Sequence, residues 1–265
     1  MPVPQPGAPR KVLAGPAHAA GSYGILDTTV FAGSFTPNYQ DAVYMGSGIG
    51  NGDFTIDRAN NVEVGLRAKN RGTFALVDGS SGVYQFSAGF CNPTCGGGPK
   101  AWWNYEFSVN LQQGGGTLTL ADALVQIRVD TDPSAATSFT PGIDAISNWG
   151  DNAYWDGIDD GAPGAAGGDE RRVGTGPALP GEFGAQQSAI PLFGNSGFQP
   201  GFNPFAHGFY EIEMQVLGRD ATGALTERLA GTDITVKVPE PGSLALLGLG
   251  LAGMAALRRR KAIAA

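Results

Sequence analysis

The chain has 265 residues, which is enough for one large domain or two small ones. Hydrophobic residues make up 42% of it and charged residues 15%, and together with clear local patterning this composition excludes an intrinsically disordered protein. The formal net charge is −7 despite four basic residues close to the C terminus, so the rest of the chain is strongly acidic and we expect no nucleic-acid partner.

The first 24 residues contain the basic residues and the cleavage-site-like stretch of a secretory signal but lack its apolar core. Arg10 and Lys11 precede an alanine-rich stretch at 17–20, which looks like a cleavage site. The apolar core of 7–15 residues that export requires is missing between them. We interpret residues 1–24 as a leader remnant or a disordered N terminus, and we expect the true start to lie upstream.

Residues 25–238 carry the pattern of β-strands. Apolar and polar residues alternate strictly at 62–69, 103–111, 210–216 and 234–238, and more weakly at 73–77, 83–88, 117–120 and 125–129. This period of two predicts strands with one buried and one solvated face, as in antiparallel sheets. Because Gly-rich turns join the strands, the pattern favours an all-β fold, an antiparallel β-sandwich of Ig-like or jelly-roll-like type.

The segment 131–204 interrupts this pattern. It is rich in Gly, Pro, Asp and Asn and has almost no periodicity. Long irregular segments in a compact domain are either functional or mobile. We therefore predict a long irregular insertion between strands, partly disordered around 161–180.

Two cysteines, Cys91 and Cys95, are the only ones in the chain. The turn-forming Asn-Pro pair between them makes a small disulfide loop plausible outside the cytoplasm. Free thiols and a metal site are the alternatives, although zinc would require four ligands. We predict a disulfide.

Acidic side chains provide the candidate metal ligands. Flexible loops with many carboxylates suit Ca²⁺, which takes 6–8 oxygen ligands. The spacing is not that of an EF-hand loop, so solvated turn aspartates are the alternative and we assign no metal ligands. The candidates are Asp130, Asp132, Asp151, Asp156, Asp159 and Asp160.

No pattern typical of an enzyme is present. The chain has no Gly-x-Ser-x-Gly elbow, no His-Glu-x-x-His and no phosphate-binding loop followed by Lys. Its two histidines, His18 and His207, lie in the leader region and in a loop. We predict no catalysis and no cofactor. Four aromatic residues could instead stack on sugar rings, namely Trp102, Trp149, Tyr154 and Trp155.

The C terminus has three parts in sequence. Pro239, Glu240 and Pro241 form an extended Pro-Glu-Pro motif, because each proline restricts its own backbone and the residue before it. An uncharged apolar run at 244–257 predicts a short membrane helix, which a thin bilayer and snorkelling arginines can accommodate. A basic stop then predicts a cytoplasmic end by the positive-inside rule; it consists of Arg258, Arg259, Arg260 and Lys261.

This tail, at residues 239–265, resembles the PEP-CTERM sorting signal of bacterial exported proteins. The resemblance implies an exosortase-type membrane protease that cuts near the Pro-Glu-Pro motif, an inner-membrane anchor before cleavage, and a cell-surface or extracellular location afterwards. The stretches 54–69 and 202–210 also resemble certain uncharacterised PEP-CTERM proteins, which brings no activity with it.

Taken together, these features predict an exported surface or extracellular-matrix protein with a structural or adhesive role linked to exopolysaccharide or biofilm. One alternative is a calcium-assisted carbohydrate-binding module, for which extracellular polysaccharide would be the partner. The other is a polysaccharide hydrolase that uses carboxylates of the long loop.

Overall fold

The computed structural model describes residues 21–26, 52–71, 77–91, 100–134, 136–146 and 201–240, together with the backbone of three strands at 151–155, 171–173 and 185–193. In chain order its strands are β1 (Ser22–Gly24), β2 (Phe54–Ala59), β3 (Val62–Asn70), β4 (Val83–Gln85), β5 (Lys100–Asn110), β6 (Ala123–Val129), β7 (Ile143–Asp144), β8 (Asp151–Trp155), β9 (Arg171–Val173), β10 (Ala185–Phe193), β11 (Gly208–Arg219) and β12 (Leu225–Val238).

These strands form two sheets. The larger has seven strands in the order β1-β2-β3-β5-β10-β8-β9, and all neighbours are antiparallel. The smaller has five in the order β4-β12-β11-β6-β7, in which only β4 runs parallel to its neighbour, β12. Helix is confined, in the described part of the chain, to two 3-10 turns at Gln113–Gly115 and Leu120–Asp122. The prediction of a mostly antiparallel all-β protein is confirmed.

Both sheets contribute to one hydrophobic core. β12 of the smaller sheet packs against β2 and β3 of the larger one. Alternate residues of each strand point to the same side, and the core side chains come from both sheets. Trp103, Tyr105, Phe107 and Val109 come from the larger sheet, and Ile212, Met214, Val216 and Val236 from the smaller.

The strongly alternating segments all became strands of at least nine residues. Those predicted at 62–69, 103–111, 210–216 and 234–238 lie in β3, β5, β11 and β12, and the weaker one at 125–129 lies in β6. The segment 83–88 is a strand only over Val83–Gln85. The strand predicted at 117–120 is wrong: this segment is a loop that leads into a 3-10 turn, where Thr119 donates from both its N–H and its Oγ1 to the carboxylate of Asp122. Most of the strand predicted at 73–77 lies outside the described residues.

The insertion at 131–204 contains more order than its composition indicates. β7, β8, β9 and β10 all fall within it, and the last three extend the larger sheet beyond β5. Our prediction of an almost wholly irregular segment is therefore wrong for these stretches. β10 carries Pro191, and its pairing with β5 shifts between Pro191 and Phe193. A proline and a bulge both weaken the alternation by which strands are recognised.

The outward face of β3 and β5 is buried, contrary to the prediction of a solvated face. Glu106 on β5 accepts hydrogen bonds from Arg67 Nε at 2.7 Å and from Lys69 Nζ at 3.1 Å. The Arg67 guanidinium also lies 4.3 Å from the centre of the Phe54 ring. Seven polar residues of this face are almost inaccessible to solvent: Glu63, Arg67, Lys69, Asn104, Glu106, Ser108 and Asn110. Charges tolerate such burial only when they are paired.

The apolar segment predicted as a helix at 244–257 lies outside the described residues. Where the structure does describe the chain, it contains no helix with the length and apolar character needed to cross a membrane.

Candidate functional site

The last strand of the fold leads directly into the Pro-Glu-Pro motif. β12 pairs with β11 up to its final residue, where Val238 lies opposite Gly208. Pro239 and Glu240 follow immediately and are exposed. No linker separates the folded body from the motif, so the body must affect how the motif is presented.

His207 holds the first residue of the motif. Its Nδ1 lies 2.7 Å from the carbonyl oxygen of Pro239, although 32 positions separate the two residues. A carbonyl oxygen can only accept, so Nδ1 carries the hydrogen. The bond fixes the direction in which the chain leaves β12. The sequence placed His207 in a loop without a role, and nothing in its spacing indicated this contact.

A pocket of about 530 Å³ opens beside this contact. The segment after β4 forms one wall, because Phe86 N–H donates to the carbonyl of Lys237 and so continues the pairing of β4 with β12. The lining residues are Gln85, Phe86, Ser87, Ala88, His207, Pro239 and Glu240. The beginning of the motif is therefore part of a concave surface of the body.

The loop that carries His207 is anchored from the core. The Tyr210 hydroxyl lies 3.1 Å from the carbonyl oxygen of Ala206 and 3.3 Å from that of Asn203. Burial raises the pKa of Tyr210 to about 12, and the charge of Asp132 adds to this rise. Gly208, with φ of 145°, closes the loop where a Cβ would collide with the carbonyl of Pro133.

Replacing Tyr210 with Phe should loosen this loop. The expected cost is about 0.5–1.5 kcal/mol of unfolding free energy, since a hydroxyl bonded to backbone carbonyls is lost while the ring stays packed.

The folded state of the wild type keeps the proton of Tyr210 above pH 10, where an unfolded tyrosine loses it. Its stability should therefore fall as pH rises from 10 towards 12, and part of this fall should be absent in Tyr210→Phe. Urea unfolding at several pH values measures both effects; equal pH dependence of the two proteins would contradict this assignment.

The acidic candidates are only partly brought together. Asp130 is buried, and its Oδ1 accepts from the N–H of Asp132, whose own Oδ1 accepts from Ser134 N–H. Both carboxylates therefore accept hydrogen bonds within turns, but Asp130 is buried and not solvated as the alternative interpretation expected. Among the described residues no three or more His, Cys, Asp or Glu side chains form a possible metal site. The side chain of Asp151 and all of Asp156, Asp159 and Asp160 lie outside the described residues.

Of the possible sugar-stacking residues, only the side chain of Trp102 is described. It is half-buried, and its Nε1 lies close to Gly89, next to the exposed ring of Phe205. Phe205 in turn packs edge-on against Phe90, with ring centres 4.9 Å apart. The side chains of Trp149, Tyr154 and Trp155 are not among those described. The segment before Phe90 also reaches the pocket, because Ala88 is one of its lining residues and the N–H of Gly89 donates to the carbonyl of Pro204.

Cys91 is fully buried, and its Sγ lies 3.2 Å from the carbonyl oxygen of Ala101. Cys95 lies outside the described residues, so the disulfide stays a prediction.

We expect the protein, when unfolded in denaturant, to show no titratable thiol until a reductant is added. Reduction should lower the free energy of unfolding by about 2 kcal/mol for so short a loop. Two titratable thiols in the unreduced, denatured protein would instead support the free-thiol alternative.

Comparison with known proteins identifies the tail. The family model described as the PEP-CTERM protein-sorting motif matches residues 237–261. The match begins inside β12 and includes the Pro-Glu-Pro motif, the apolar run and the basic stop. No curated protein and no solved structure matches the chain. The motif implies an exported protein that has a C-terminal membrane anchor before cleavage and is processed by exosortase, a membrane protease.

Proposed function

We propose that the body is a structural or adhesive module of the cell surface or extracellular matrix, associated with exopolysaccharide or biofilm after cleavage at the Pro-Glu-Pro motif. The single observation that carries this proposal is the direct passage from β12 into the motif. Because no linker intervenes, cleavage there releases an intact folded body with nothing attached. This arrangement suits a protein that acts as a folded component of the surface or matrix to which it is delivered.

The composition of the body supports an extracellular role. It is acidic and carries few charges for its size. Its core joins two sheets, and the buried charges of β3 and β5 are paired. Within the proposal it is a β-sandwich that serves as a durable surface component rather than an enzyme.

The proposal is tested by measuring whether the cleaved protein is retained in the extracellular matrix. We expect the wild-type protein to sediment with extracellular polysaccharide and to be released when the polysaccharide is digested. A strain without the gene should aggregate less, and the intact gene should restore aggregation. The proposal is wrong if the protein is found entirely free in the medium and its loss leaves aggregation unchanged.

Carbohydrate binding is a second candidate, favoured by the half-buried Trp102 beside the exposed Phe205. Planar aromatic rings at a surface suit sugar rings, and such patches mark binding sites. On a glycan array, Trp102→Ala should lose most of the binding of the wild type. Calorimetry with millimolar Ca²⁺ tests the calcium-assisted version, and no heat of binding would eliminate it. Leu225→Ala, which removes an exposed apolar side chain at the start of β12, is the matched control.

A further inference from the structure

Two exposed aromatic side chains flank the point where the chain leaves the fold. Phe205 is 58% exposed and Phe209 is 45% exposed. Phe205 precedes His207 by two positions and Phe209 follows it by two, and His207 bonds to the carbonyl of Pro239. Both are among the four large hydrophobic side chains that are exposed in the described part of the structure.

Both rings are held in place by the fold. Phe205 packs on Phe90 with ring centres 4.9 Å apart. Phe209 lies opposite Lys237 in the pairing of β11 with β12, and Lys237 Nζ lies 5.6 Å from the centre of its ring. We call Phe205, Phe209 and Lys237 the exit patch. It combines two apolar rings with one cation on a body that is otherwise acidic.

The length of the chain beyond β12 limits how far the exit patch can lie from the membrane. Only Pro241, Gly242 and Ser243 separate Glu240 from Leu244, where the apolar run begins. Even fully extended, the four steps from Glu240 to Leu244 span at most about 14 Å. The headgroup region on each side of a bilayer is roughly 5–7 Å thick. While the tail is anchored, the end of the body that carries the exit patch is therefore held against the membrane surface.

We propose that the exit patch contacts the lipid surface of the membrane before cleavage and orients the body on it. Apolar rings enter the boundary between headgroups and acyl chains, and a lysine beside them faces lipid phosphates. The inference rests on the anchored tail of the proposed function but concerns a different surface. Two rings and one lysine are far less than the two lipid anchors that stable attachment requires. Cleavage therefore removes the tether, and the patch alone does not retain the body.

The orientation predicts which positions touch lipid. Leu225 is a matched control because it is 49% exposed and begins β12, whereas the exit patch lies at the end of that strand. Along a strand of this length the two ends are about 40 Å apart. The full chain would be reconstituted in vesicles of phosphatidylethanolamine and phosphatidylglycerol, with the photo-reactive residue benzoyl-phenylalanine at position 205, 209 or 225.

We expect cross-linking to lipid at positions 205 and 209 to exceed that at 225 by about tenfold, since the reaction requires contact and the control position is held away from the surface. If chains that float with the vesicles are labelled equally at positions 205, 209 and 225, the inference is overturned while the proposed function stands. Cross-links from 205 and 209 to a second copy of the protein, without lipid, would also overturn it. If the full chain does not float with the vesicles, the anchored state of the proposed function fails, and the inference fails with it.

Discussion

Glu106→Ala is expected to lower the free energy of unfolding by about 3–5 kcal/mol. Glu106 is the shared partner of Arg67 and Lys69, and all three side chains are at most 3% exposed. Removing the carboxylate leaves two cations buried without this counter-charge. Their desolvation is then uncompensated, and this penalty exceeds the loss of the hydrogen bonds themselves.

Urea unfolding followed by far-ultraviolet circular dichroism measures the effect. The matched control is Glu211→Ala, which removes a partly exposed carboxylate that accepts a 2.9 Å hydrogen bond from Thr137 Oγ1. Its expected cost is about 1 kcal/mol or less, because water replaces the lost partner. Similar losses in the two variants would show that the outward face of β3 and β5 is hydrated in solution.

Glu240→Ala is expected to abolish most processing of the tail, so that the uncleaved chain accumulates in the membrane fraction. Glu240 is exposed and lines the pocket. From proline chemistry we expect the prolines on either side of it to favour the extended backbone that a protease requires. Removing the carboxylate leaves that backbone shape intact and deletes only the charged group between the prolines. The loss should therefore appear as failed recognition rather than as misfolding.

Immunoblots of membrane and released fractions in a strain with the exosortase distinguish the two chain lengths. Glu227→Ala is the control, because Glu227 is an exposed residue of β12 far from the motif. It should be processed like the wild type. Normal release of Glu240→Ala would place recognition elsewhere in the tail, and the basic run at 258–261 would be the next segment to test.

Prediction of strands succeeded where the pattern is local. The alternation in β3, β5, β11 and β12 is visible in the sequence because successive side chains of a strand point to opposite faces of the sheet. β8, β9 and β10 escaped detection because they are short, or interrupted by a proline, and because they form through pairing with β5 and with each other. Pairing between distant segments leaves little trace in any one of them.

The candidate site divides in the same way. The Pro-Glu-Pro motif, the apolar run and the basic stop depend on neighbouring residues, so the sequence alone identified them, and the family match at 237–261 confirms the sorting motif. The contact of His207 with Pro239 depends on the pairing of β11 with β12, which brings Gly208 opposite Val238. No spacing rule relates a loop to a residue 32 positions later.

The sequence by itself determined the β-rich fold class, the acidic character of the body and the sorting tail, because period-two alternation, composition and a linear motif are all properties of neighbouring residues. Only the tertiary structure decided that Arg67, Lys69 and Glu106 are buried, that Phe205 and Phe209 are exposed, and that His207 contacts Pro239 where the chain leaves the fold. The physical reason is that burial and proximity are set by which strands become neighbours in a sheet. In this chain those strands are separated by as many as 152 positions, as for β4 and β12 in the pairing of Val83 with Thr235.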